Sequence, residues 1–134
     1  MIYLLHFDRR YHHAGHYLGF TDNLAARLET HRAGNGARLL EVITAAGISF
    51  VLARTWEGDR KMERLLHRRK ASPRLCPICR RAAILRRELP ALSEPDVQIA
   101  ARLFVEATSQ ASAPAIPGPY IDEQLRTYDS LNGY

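Results

Sequence analysis

The feature that most constrains this chain is a pair of short apolar runs, "IYLLHF" at 2–7 and "HYLGF" at 16–20, followed at once by "TDNLAARLETH". Both runs carry aromatic and aliphatic residues and read as strands. The intervening "DRRYHHAG" (8–15) is polar and closes on Gly, as a connecting loop does. The two strands are therefore expected to pair antiparallel as a hairpin. A helix over about 22–33 follows, with Thr21 or Asp22 as its N-cap and Gly34 and Gly36 as its stops. Leu24 and Leu28 begin its buried stripe. At 100° per residue, Arg27 and His31 fall about 60° and about 20° from Leu24, so two hydrophilic side chains share the face that ought to be buried.

The remaining segments complete a small α/β domain of the α+β kind. "ARLLEVITAAG" (37–47) has helical apolar spacing and ends on Gly47. "ISFVLART" (48–55) is predicted as a third, central strand. "DRKMERLLHRRK" (59–70) puts Met62, Leu65, Leu66 and the stem of Arg69 on one helical face, with Asp59 as N-cap, and "ASPR" breaks it. The order is β-β-α-α-β-α. Beyond it come "CPIC" (76–79), a basic helix over 80–89, and a helix over 94–108 that opens near Pro95. A Pro-rich linker is expected at 109–119, and 120–134 reads as a short docked helix or a mobile end. The expected division is a domain at 1–89 and a helical extension or tail at 90–134.

Charge follows the same division. Residues 1–89 hold 17 Lys/Arg against 8 Asp/Glu, a net of +9, whereas 90–134 hold 2 against 6, a net of −4. A basic body of this kind suits a polyanion, nucleic acid above all. No run of about 18 apolar residues is present, which argues against a membrane span. The N-terminus is too quickly charged for a signal peptide, so a cytoplasmic protein is expected.

Taken in order, these residues resemble the GIY-YIG nuclease superfamily, as in the N-terminal domain of the excinuclease C subunit or the catalytic domain of homing endonucleases. The two tripeptides that name the family stand here as "MIY" (1–3) and "YLG" (17–19), with Met1 in place of Gly and Leu18 in place of Ile. "FTDNLAARLETH" supplies the next signature, ten residues separating Tyr17 from Arg27, and "DRKMERLLHRRK" supplies a late Glu, Glu63. The resemblance covers about residues 2–70. It implies a three-stranded antiparallel sheet flanked by helices, and a metal-dependent endonuclease, a hydrolase of DNA phosphodiester bonds. The chain carries no recognition domain of obvious type, so a structure-selective role in repair or recombination is favoured. The alternatives are a non-catalytic nucleic-acid-binding module of the same fold and a zinc-assembled interaction protein.

The implied catalytic residues are Tyr3, Tyr17, Arg27, His31 and Glu63. Glu63 is a hard oxygen ligand suited to one Mg²⁺ or Mn²⁺, an ion that takes few protein carboxylates and keeps several waters. Arg27 presents a fork that matches phosphate oxygens. A free phenol is a poor base near neutrality, and cations beside it are expected to lower its pKa. The resemblance implies that one of the two tyrosines is the general base; Tyr3 is expected in that role with His31 assisting, and Tyr17 as positioner or acid, with the sequence leaving the two interchangeable. Lys61, Arg64, Arg68, Arg69, Lys70 and Arg74 form a basic run around Glu63 suited to phosphate tracking on branched, flapped or duplex DNA. Tyr11 and Trp56 are candidates for stacking on bases. His12, His13 and His16 read as exposed loop histidines. Cys76 and Cys79 leave three readings open: half of a zinc site completed by His67 or a second chain, a redox pair, or two small buried residues.

Overall fold

The computed structural model describes residues 1–109. It contains the expected antiparallel sheet of three strands: β1 (Ile2–Tyr11), β2 (Ala14–Phe20) and β3 (Phe50–Trp56), in the spatial order β2-β1-β3. Helices α1 (Leu24–Arg32) and α2 (Arg38–Ala45) connect β2 to β3. After β3 come α3 (Arg60–Arg68), the short α4 (Ser72–Leu75), α5 (Pro77–Glu88) and α6 (Glu94–Ser109). The expected 109–119 linker beyond Ser109, and the 120–134 segment, lie outside the described residues.

The hairpin is longer and tighter than expected. The predicted loop over 8–15 is mostly strand, and the chain reverses at His12 and His13, with Tyr11 opposite Ala14. His12 takes φ 53°, the left-handed region that tight hairpin turns require and that His tolerates better than most residues. Between His6 and Tyr11 the β1–β2 register shifts, so the distal half of the hairpin is offset from its base.

The central strand is β1, not 48–55 as expected. Ile2 to Leu5 are completely buried, because β1 is hydrogen-bonded on both edges and covered on both faces. A strand in that position reads as an unbroken apolar run rather than an alternating one. β3 lies at an edge and leaves Leu52 39% exposed.

Alternation along β1 feeds two cores. Tyr3, Leu5 and Phe7 pack with Leu28 of α1 and with Leu40 and Ile43 of α2. Ile2 and Leu4 pack with Leu18, Leu66 of α3, Leu75, Ile78 and Ala82. Val97 and Ala101 of α6 are buried in this second core, so the described part of the acidic extension is docked against α5. Trp56 is also buried there, which removes it as a base-stacking residue.

The helix caps follow from local chemistry. Asn23, rather than Thr21 or Asp22, caps α1, its side chain accepting from Ala26 N at 3.1 Å. Thr21 builds the turn before it, its Oγ1 accepting from Asn23 N at 3.2 Å. Asp59 caps α3 as expected, accepting from Met62 N at 2.8 Å. Gly34 (φ 77°) and Gly36 (φ 98°) turn the chain after α1. No described helix is long and apolar enough to cross a membrane.

Candidate functional site

Four of the five expected catalytic residues meet on the α1 side of the sheet. Tyr3 and Tyr17 project from neighbouring strands with ring centroids 6.1 Å apart. Their approach depends on Gly19, which pairs with Tyr3 across the ladder. A Cβ there would lie 2.5 Å from the Tyr3 Cζ and hydroxyl oxygen and 2.9 Å from Cε1 of Tyr17. Leu24 and Leu28 hold α1 over this face, and the same helix brings in Arg27 and His31. The two hydrophilic residues of the stripe are thus directed at the phenols.

The hydrogen bonds fix a tautomer. His31 Nδ1 lies 3.4 Å from the Asn35 carbonyl, which only accepts, so Nδ1 carries the proton and donates. Nε2 is left with its lone pair, and the Tyr3 hydroxyl donates to it at 2.8 Å. Arg27 Nε in turn donates to the Tyr3 oxygen at 3.4 Å. Gly36 keeps the far side of His31 open, since a Cβ there would fall 3.3 Å from Nδ1.

The electrostatics reverse one expectation. Burial pushes the Tyr3 phenol up to about 12, and the opposing hydrogen bond from Arg27 only partly offsets it. Tyr3 is completely buried, so the desolvation cost of a phenolate outweighs the nearby cation. Burial, aided by the Arg27 charge, holds His31 below the ordinary imidazole pKa, and the ring is neutral at neutral pH. Tyr17 is only half-buried. It is the phenol within reach of solvent, while Tyr3 is the internal hub that ties β1 to α1.

Glu63 comes from the other side of the sheet. Leu66 anchors α3 in the core of that face, and α3 runs beside the edge strand β2. His67 Nε2 donates to the Leu18 carbonyl at 3.0 Å and lies 3.4 Å from Glu63 Oε1. His67 thus ties Glu63 of α3 to the backbone of β2 at Leu18. The Glu63 side chain is 18% exposed. Glu63 is a hard oxygen donor of the type that magnesium-type ions take.

Beside Glu63, Lys61, Arg64, His67 and Arg68 line an open basin of about 630 Å³. Three residues of the expected basic run therefore share one surface. Arg69 caps the C-terminus of α3, Lys70 follows it at φ 49°, and Arg74 lies on α4.

A second cluster was not legible as a unit. His6 and His16 face each other across the β1–β2 ladder on the α5 side, and Cys76 and Cys79 meet them from the start of α5. The ligand atoms of all four lie within 4.8 Å of one another, a group that could hold a metal ion and whose donors suit zinc better than magnesium. His16 is thus a strand residue of this cluster, not an exposed loop histidine. His67, one of the residues that could have completed a site at the cysteines, is bonded to Leu18 instead. The sequence signal for the cluster was a histidine inside the apolar run "IYLLHF", at a strand position that burial would normally reserve for an aliphatic side chain.

No family model, no curated protein and no solved structure matches this chain.

Proposed function

We propose that this protein is a metal-dependent endonuclease of the GIY-YIG kind, hydrolysing DNA phosphodiester bonds with a preference for branched or flapped substrates in repair or recombination. The observation that carries this reading is the joining of Tyr3, Tyr17, Arg27 and His31 around Gly19. Tight packing alone has no need of a buried Tyr–His–Arg network, since each polar group placed there must be satisfied to avoid a desolvation cost.

Each residue has a distinct task in this reading. Arg27, at the rim of the stripe, binds a non-bridging phosphate oxygen and opposes the charge that grows as water attacks phosphorus. Its Nε–H is engaged by Tyr3, and the guanidinium also reaches Tyr17. Tyr17 orients the attacking water or protonates the departing oxygen. Tyr3 and neutral His31 position Arg27 and Tyr17 rather than exchange protons with substrate. Glu63 would hold the divalent cation, which when bound supplies charge neutralisation at the scissile phosphate. Lys61, Arg64 and Arg68 line up the flanking backbone.

The test is incubation of the purified chain with branched, flapped, single-stranded and duplex DNA, in Mg²⁺ or in EDTA. Nicking of branched or flapped DNA that disappears in EDTA supports the reading. A second reading, a non-catalytic nucleic-acid-binding module, is favoured by the complete burial of Tyr3; binding without cleavage in any metal would select it.

A further inference from the structure

The cluster of His6, His16, Cys76 and Cys79 carries an inference of its own, independent of the nuclease reading. Its four donors come from two places far apart in sequence. The histidines are a cross-strand pair on the hairpin, and the cysteines bracket the first turn of α5, some sixty residues later. We propose that these four side chains bind one Zn²⁺ ion in a closed tetrahedral site that staples the β1–β2 hairpin to α5.

Four of the six spacings between the ligand atoms match those of a coordination sphere, and all six lie within 4.8 Å. With Zn–N near 2.0–2.1 Å and Zn–S near 2.3 Å, tetrahedral angles require roughly 3.3 Å between two nitrogens and roughly 3.6 Å between nitrogen and sulfur. His6 Nδ1 and His16 Nε2 are 3.2 Å apart. Cys76 Sγ and Cys79 Sγ lie 3.5 and 3.7 Å from His6 Nδ1, and Cys79 Sγ lies 3.2 Å from His16 Nε2.

Hydrogen bonding does not account for this arrangement. A ring nitrogen offers one proton or one lone pair. His6 Nδ1 has three neighbours within 3.7 Å, two of them sulfur and one an imidazole nitrogen. At most one of these can be a good partner. A shared ion at the centre satisfies all four donors at once.

The donor set selects the metal. Two thiolates and two neutral imidazoles are the ligands of structural zinc, whereas magnesium and calcium take oxygen. Two thiolate charges balance the dication, so the neutral complex suits an interior where Cys76 is completely buried and His6 is 8% exposed. With all four positions filled by protein, none is open to substrate, and the role is structural. Binding requires both thiols to lose their protons, and two protons leave for each ion taken up.

The experiment uses the full chain, purified under reducing conditions so that no disulfide competes, exposed to one equivalent of Zn²⁺ and then desalted. The expected result is about one zinc per chain by elemental analysis. Replacement of zinc by Co²⁺ should give the intense visible bands of a tetrahedral ion together with thiolate-to-cobalt charge transfer. Cys79→Ser and His16→Ala should each lose stoichiometric zinc. Less than about half a zinc per chain, or a Co²⁺ spectrum without charge transfer, overturns the proposal; so does undiminished zinc in both variants. If the variants fail to fold, the wild-type Co²⁺ spectrum decides alone.

Discussion

Gly19 sits directly opposite Tyr3 in the β1–β2 ladder, and a Cβ on Gly19 would fall 2.5 Å from the Tyr3 hydroxyl oxygen. The backbone of β2 is therefore part of the wall that holds the phenol against His31. The third residue of "YLG" matters here for its lack of a side chain and not for backbone freedom. Its φ is not among the positive values in the chain.

Gly19→Ala tests this relation. The added methyl group must displace Tyr3 or the strand, because Tyr3 is enclosed and Tyr17 lies 2.9 Å away on the other side. Overpacking of this kind costs about 1–3 kcal/mol. Urea denaturation should show that loss, and any DNA cleavage should fall with it. An Ala variant as stable as wild type would mean that Tyr3 has room to move.

The Tyr3–His31 pair predicts opposite pH dependences at the two ends of the scale. His31 has its folded pKa below the ordinary 6.5, so the unfolded chain binds the extra proton first. Its contribution to stability is complete above 6.5 and is lost as pH falls through the folded value. Tyr3 has its folded pKa raised from 10.0 to about 12, so the unfolded chain releases its proton first. Stability then falls as pH rises through that interval, by on the order of 2–3 kcal/mol. Comparing wild type with His31→Gln and Tyr3→Phe across pH isolates each contribution. A Tyr3→Phe variant with an unaltered alkaline limb contradicts the assignment.

The basin beside Glu63 predicts a salt signature. If Lys61, Arg64 and Arg68 each neutralise one phosphate, replacing all three by Ala should weaken DNA binding uniformly across sequences. It should also reduce the slope of log K against log salt by roughly three. An unchanged slope would place the DNA elsewhere.

Truncation after residue 89 should destabilise the chain, because it removes Val97 and Ala101 from the core shared with α5. Loss of one buried valine alone costs about 1.5–3 kcal/mol. Truncation after residue 109 spares both side chains. A thermal melt of the two shortened chains separates these outcomes; equal stability would show that α6 contributes little.

Much of this fold was legible because local chemistry and long-range packing agree. The hairpin, the cap of α3 by Asp59 and the stripe of α1 all follow from residue order. The position of the central strand did not, because "IYLLHF" and "ISFVLART" each carry five apolar residues. What separates them is which strand gains a neighbour on each edge, and that is a property of the assembled sheet. The same limit applied to the metal-type cluster. Cys76 and Cys79 were visible as a pair, but His6 and His16 become their neighbours only through the strand register. The phenol was misjudged for a different reason. Arg27 was correctly placed beside Tyr3, yet the complete burial that outweighs its charge arises only when α1 and β2 close over the ring.

If Arg27 and Glu63 act on one scissile phosphate, single-turnover cleavage of flapped DNA in Mg²⁺ depends on both. Glu63→Gln and Arg27→Ala should each reduce the rate by at least about 100-fold while DNA affinity falls far less, as expected for groups that act mainly in the transition state. Cleavage at the wild-type rate in either variant would contradict the account.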